Sequence, residues 1–167
     1  MSRVEGVLGI DPSYTCTGLV ILSPKLIVLS SSKVRLPPGT NRLLRAGKAL
    51  DTFIRDTIGT HGPSSLKLAV VEDAAYAAPS RHVTAKLKEL SGVYKFILEA
   101  HDIPWLELSP TSAKKNITGK GTSEKSIVAR ELFTTFGIQF EEDKGYDLSD
   151  AAALAVWGVR HYYGNDS

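Results

Sequence analysis

Apolar and polar positions along this chain follow two periods, one of strands and one of helices. Residues 4–10, 18–22 and 26–36 are rich in Val, Ile and Leu and are punctuated by Asp-Pro-Ser and Ser-Pro-Lys. Such punctuation marks turns, so the segments predict three consecutive antiparallel strands. Over 41–58, Leu43, Leu44, Leu50, Phe53, Ile54 and Ile58 recur at helical spacing, with Arg42, Arg45, Lys48 and Arg55 on other faces. That pattern predicts a crossover helix. After Gly62-Pro63 an unbroken apolar run, 66–71, stops at Glu72 and Asp73, as expected of a strand buried on both faces.

The second half continues the alternation. Residues 75–80 read as a loop, and 81–101 carry Val83, Leu87, Leu90, Tyr94, Ile97 and Leu98 at steps of three and four, predicting a second amphipathic helix. A short strand is expected over 104–108. Ser109-Pro110 then opens a helix, with a capping hydroxyl before a proline at the first helical position. Gly119 and Gly121 make 115–122 a flexible basic loop by expectation, and Ser123 starts a helix that Gly137 stops. Asp147 opens the last helix, which runs through Ala151, Leu154, Ala155 and Trp157 to about Tyr163.

Three strands, a helix, then strands alternating with helices predict a mixed α/β fold. Its sheet has five strands, three antiparallel and then two parallel, with helices on both faces. No internal repeat, low-complexity tract or linker interrupts the 167 residues, which suit a single domain spanning 1–167 and burying roughly 68–70% of its unfolded surface. In such sheets, sites lie at strand ends and helix starts.

Composition narrows the function classes. With 43% hydrophobic and 23% charged residues, the chain is an ordinary globular protein, and no apolar run approaches the ~20 residues of a membrane helix. The start, MSRVEG, holds no apolar signal segment, so export is not expected. Cys16 is the only cysteine, which suits a reducing cytoplasm and excludes an internal disulfide. His61, His82, His101 and His161 have no short ligand spacing, against a zinc site.

The net charge of +2 hides a separation. Between Ser109 and Arg130, Lys114, Lys115, Lys120, Lys125 and Arg130 face one acid, Glu124. Soon after, Glu141, Glu142, Asp143, Asp147 and Asp150 face only Lys144. Either run alone is an ordinary solvated face. Together they suggest an anion-binding surface beside a cation-binding pocket.

Four acids fall where sites are expected: Asp11 after the first strand, Glu72 after the fourth, and Asp147 and Asp150 at the start of the last helix. Asp11 before Pro12 also suits a plain turn. Asp147 also suits an N-cap, with Asp150 a first-turn acid favoured by the helix dipole. Glu72, directly after LKLAVV, is costly to bury without a partner. Three residues apart on one helix, Asp147 and Asp150 can converge, and four converging carboxylates need cations between them. Hard divalent ions such as Mg²⁺ prefer oxygen ligands, and a pair of them serves phosphoryl displacement.

The motifs GIDPSYTCTG, AVVEDAAYA, SPTSAKKNITGKGTSEKSIV and DLSDAAALAVW resemble, in order and approximate spacing, those of RuvC-like Holliday junction resolvases of the RNase H-like superfamily. The similarity runs from about Val4 to His161. Actin-like ATPases and sugar kinases share the first motif; the Gly-Lys-Gly-Thr-Ser-Glu-Lys-Ser stretch followed by Asp-x-x-Asp is more specific. The resemblance implies an RNase H-like sheet, with Asp11, Glu72, Asp147 and Asp150 as ligands of two Mg²⁺ ions and Mn²⁺ as the substituting ion. It also implies a homodimer acting on four-way DNA junctions, nicking two strands symmetrically to leave 5′-phosphate and 3′-hydroxyl ends. Lys114 and Lys125 match basic positions near the scissile phosphate. In a first helical turn Lys125 opposes the helix dipole, so a phosphate explains it better than stability does. Tyr76 matches a junction-wedging aromatic loosely, in a loop one residue longer than the bacterial pattern. Arg81, Lys86, Lys115, Lys120 and Ser123 complete the expected DNA contacts.

Helix 81–98 is nominated for the dimer, because its length can serve both core and partner. The chain ends soon after Tyr163, which points toward a bacteriophage source. Two other readings stand beside the resolvase: a less selective nuclease for branched DNA or RNA/DNA hybrids, and a binding module without metals. Clustered acids near a phosphate speak against the last.

Overall fold

In the computed structural model, residues 4–62, 65–75 and 80–164 are described. The elements run β1 (Gly6–Asp11), β2 (Cys16–Leu22), β3 (Val28–Arg35), α1 (Arg42–His61), β4 (Leu66–Glu72), α2 (Arg81–Ala100), β5 (Trp105–Leu108), α3 (Pro110–Thr118), α4 (Lys125–Phe136) and α5 (Asp147–Tyr163). The sheet order is β3-β2-β1-β4-β5. β1, β2 and β3 pair antiparallel, while β4 joins β1 and β5 joins β4 in parallel. Both the strand number and the switch from antiparallel to parallel agree with the sequence pattern.

Strand periodicity sorts the apolar residues onto two faces. Val7, Val20, Leu22, Leu68 and Val70 meet α3, α4 and α5, where Ala151 to Val156 form the centre of the contact. Leu8, Ile10, Leu19, Ile21, Ala69 and Val71 meet Leu50, Ile54, Leu90, Tyr94 and Leu98 of α1 and α2. Because β1 and β2 are buried along their whole length, their period-two pattern is apolar on both faces.

α5 can lie on the sheet only because two strand positions lack side chains. A Cβ on Gly9 would stand 2.0 Å from the Ala151 carbonyl oxygen, and one on Gly18 the same 2.0 Å from that of Asp147. These two close approaches fix the depth at which the first turns of α5 sit.

Some boundaries differ from expectation. β3 begins at Val28, because Leu26 takes a left-handed φ of 60° and its N–H donates to Ser23 O. α3 continues past Lys115 to Thr118, burying Ile117, and stops at left-handed Gly119. Lys115 is therefore helical, and the basic loop is shorter than the expected 115–122. α4 begins at Lys125 with Glu124 at its N-cap; Ser123 instead shares a 2.7 Å hydrogen bond with the Thr118 hydroxyl. Most of the loop expected over 75–80, including Tyr76, lies outside the described residues. Among the described residues no helix is long and apolar enough to cross a membrane.

Candidate active site

β1 and β4 run parallel with Ile10 opposite Val71, so their last residues, Asp11 and Glu72, leave the sheet side by side. α5 crosses the same strand ends and brings Asp150 from its first turn. Asp11, Glu72 and Asp150 line a cleft of about 290 Å³ together with Lys114 of α3 and Lys125 of α4. The Lys125 Nζ donates to Asp150 Oδ2 at 2.5 Å.

Electrostatics make this a site under tension. Asp11 is 8% exposed, and burial, then the charges of Glu72 and Asp150, hold its pKa well above the usual carboxylate range. Burial and then Asp150 raise Glu72 to about 7, with Lys125 and Lys114 opposing. Asp150 is also raised by burial, against the hydrogen bond and charge of Lys125. Burial works against the Lys125 charge, but its bond to Asp150 and the fields of Asp150, Asp11 and Glu72 raise its pKa overall. Three carboxylates desolvated together favour protons or cations.

Asp147 is placed differently. It borders a neighbouring groove of about 550 Å³ that shares Asp11, Glu72 and Lys125 with the cleft and adds Tyr14, Arg42, His82 and Lys86. Its carboxylate accepts a hydrogen bond from the Cys16 thiol; burial and then that bond raise the thiol's pKa. Its charge acts on Asp11 more weakly than those of Glu72 or Asp150. Among the described residues, no three acid, histidine or cysteine side chains stand close enough to close on one metal ion. The donor set nevertheless suits a hard cation: every acid offers oxygen, and burial disfavours the charged form of each of Asp11, Glu72 and Asp150, a cost that a bound cation would offset.

The other expected residues scatter around this centre. Lys114 lines the cleft and Lys86 the groove. Arg81 is exposed at the start of α2, and Lys115 and Lys120 are exposed on α3 and the loop after it. Nor does the acidic run before α5 join the cleft as a cation pocket. Asp143 accepts from the Leu148 and Ser149 amides and the Ser149 hydroxyl and pairs with Lys33 at 3.2 Å, while Glu141 and Glu142 border a separate hollow with Phe133 and Phe140. Asp143 thus does the capping expected of Asp147, which is the first helical residue behind a left-handed Tyr146. Tyr14 and Arg42 were missed as groove residues: Arg42 lies over the Tyr14 ring at 4.7 Å and donates to Tyr14 O at 2.6 Å. Tyr14's place in the opening turn was the available hint.

Comparison with known proteins gives this arrangement a family. The family model described as Crossover junction endodeoxyribonuclease RuvC matches residues 7–158. The protein of that name from Nitratidesulfovibrio vulgaris (strain DP4) is 31% identical over 159 residues, covering 93% of this chain and 91% of its own. That from Campylobacter concisus is 28% identical over 156 residues, covering 90% and 93%. Thermus thermophilus RuvC, solved in complex with Holliday junction substrate, superposes with a TM-score of 0.76 at 21% identity, over 96% of this chain and 94% of that one. This likeness bears out the RNase H-like fold. The chain, matched from the first strand into the last helix, belongs to the crossover junction endodeoxyribonuclease RuvC family.

Proposed function

We propose that this chain is a Mg²⁺-dependent endodeoxyribonuclease that resolves four-way (Holliday) DNA junctions in recombination and repair. The observation that carries this reading is the cleft itself. In a chain of the RuvC family, three desolvated acids from β1, β4 and α5 meet two lysines at one end of the sheet. On this reading Asp11, Glu72, Asp147 and Asp150 hold two Mg²⁺ ions, with Mn²⁺ as a substitute. The chemistry that bound Mg²⁺ supplies in such a site is neutralisation of the scissile phosphate and a lowered pKa for the attacking water.

The chain's own groups do the rest. Asp11, buried and lining both the cleft and the groove, would serve as a ligand on either side. Lys125 neutralises Asp150 in the metal-free protein; once the acids are otherwise compensated, its ammonium serves the scissile phosphate. Lys114, Lys115, Lys120 and Ser123 seat the DNA backbone from one side, and Arg81 and Lys86 from the other. Such contacts set position and not sequence. Tyr76 is the aromatic that wedges the junction centre. In-line attack leaves 5′-phosphate and 3′-hydroxyl ends.

A junction with two-fold symmetry is nicked symmetrically by two copies related by the same axis, so the active form is a homodimer. α2 supports this: beyond its core face it exposes Val83 at 41% and Phe96 at 69%. We place residues 1–167 in one nuclease domain working in the cytoplasm. Asp11→Asn tests the assignment: junction cleavage is lost while junction binding stays within about twofold of wild type. Cleavage by this variant at the wild-type rate contradicts the metal role of Asp11.

A further inference from the structure

The turn that carries Asp11 is closed by side chains. The β1–β2 ladder ends at Asp11 opposite Gly18, and Pro12, which follows, has no N–H to donate. Thr17, fully buried on β2, spans the gap. Its Oγ1 accepts from the Ser13 amide at 3.1 Å and donates to the Ser13 carbonyl at 3.0 Å. The Ser13 hydroxyl in turn accepts from the Thr15 amide at 3.2 Å, and Arg42 holds the Tyr14 carbonyl from outside.

One more group completes this closure, and it comes from another layer. Tyr94 of α2 is 0% exposed, the largest of the fully buried side chains, and its hydroxyl donates to Thr17 Oγ1 at 2.8 Å. Burial pushes the Tyr94 phenol up to about 12, so it remains a donor across the working pH range. A threonine hydroxyl has one proton and two acceptor lone pairs. With Tyr94 and the Ser13 amide donating to it, the Thr17 proton is committed to the Ser13 carbonyl.

Asp11 needs such a hold. It lines one cleft with Glu72 and Asp150, where like charges repel, and a turn free to open would relieve that repulsion by carrying Asp11 out of the cleft. We infer that Tyr94 and Thr17 are positioning residues for Asp11, locking the turn through their hydroxyl pair and keeping its carboxylate between Glu72 and Asp150. The inference rests on the proposed role of Asp11 in cleavage. It also gives α2, whose first turns border the groove through His82, Val83 and Lys86, a bond to the turn bearing Asp11.

Isosteric deletions test it. Thr17→Val keeps the shape and removes the hydroxyl, Thr17→Ser restores the hydroxyl, and Tyr94→Phe removes only the outer donor. Leu98→Ala, at the far end of α2, is the control for lost core packing. In metal-free protein, hydrogen exchange at the Ser13 amide accelerates about tenfold or more in Thr17→Val and returns toward wild type in Thr17→Ser. With Mg²⁺ saturating, single-turnover junction cleavage slows about tenfold in Thr17→Val, which loses all three bonds of the hydroxyl, and about threefold in Tyr94→Phe, which loses one. Junction affinity stays within about twofold, and Leu98→Ala keeps the wild-type rate. Unchanged Ser13 exchange and cleavage in Thr17→Val overturn the inference, as does equal slowing in Leu98→Ala. Should Thr17→Val fail to fold, Tyr94→Phe decides by the same two readouts. An active Asp11→Asn brings down the function of Asp11 and this inference with it; an inactive Asp11→Asn beside a fully active Thr17→Val brings down only the positioning role.

Discussion

Removing the charge of Glu72 is expected to stabilise the metal-free protein. Its pKa rises from 4.5 to about 7 on folding, through burial first and the Asp150 charge second. The folded state therefore binds this proton more tightly than the unfolded chain does. Stability is fully retained below the unfolded value of 4.5 and is lost as pH rises toward the folded value of about 7. A shift of about 2.5 units at about 1.4 kcal/mol per unit is a penalty of roughly 3 kcal/mol at about pH 8. Glu72 keeps an open side, so solvent screening cuts this to roughly 1.5–3 kcal/mol. For a chain of this size, Glu72→Gln should raise the Tm by about 4–10 °C at about pH 8 and by almost nothing at about pH 4. Thermal unfolding in EDTA, followed by circular dichroism across that range, measures the difference. Millimolar Mg²⁺ should narrow the gap, because it stabilises the wild type more than a variant with one acid fewer. A Glu72→Gln protein no more stable than wild type at the alkaline end, or one whose advantage grows on acidification, would refute the electrostatic reasoning.

Three further outcomes follow from the packing around the cleft. Asp143→Ala leaves two α5 amides and Lys33 without a side-chain acceptor; urea unfolding should show a loss of about 2 kcal/mol. Gly9→Ala places a Cβ 2.0 Å from a helix carbonyl, so α5 must move off the sheet; a loss above about 3 kcal/mol or no folded protein is expected, read by circular dichroism. Lys125→Met removes the ammonium from Asp150 and from the phosphate, and cleavage should fall about tenfold or more while the salt slope of junction binding drops by about one.

Much of the fold was legible because strand and helix periods are unusually clean here. Apolar runs that end abruptly at Asp11 and Glu72 signal both the strand ends and the acids, and the alanines after Asp150 signal a helix that must lie close to something flat. What local pattern could not settle was the division of labour between Asp147 and Asp150. Their three-residue spacing permits convergence, but the depth of α5, set by Gly9 and Gly18 from distant strands, turns Asp150 into the cleft and leaves Asp147 against Cys16. Asp143 was hidden for a similar reason: within an acidic run it looks solvated, and only the fold supplies Lys33 from β3. The helix expected to start at Ser123 starts at Lys125, because the Ser123 hydroxyl is engaged by Thr118. The Tyr94–Thr17 bond joins residues 77 positions apart, beyond the reach of any periodicity.

The central claim is that these acids cut four-way junctions as a matched pair of nicks. The direct measurement is to incubate the protein with an end-labelled mobile four-way junction, a replication fork, a flap and an RNA/DNA hybrid, each with and without Mg²⁺, and to map the products on a sequencing gel. The account predicts symmetric paired nicks with ligatable ends, confined to the four-way junction and absent without Mg²⁺. Comparable cleavage of forks, flaps or hybrids, or junction nicks that persist in EDTA, would contradict it.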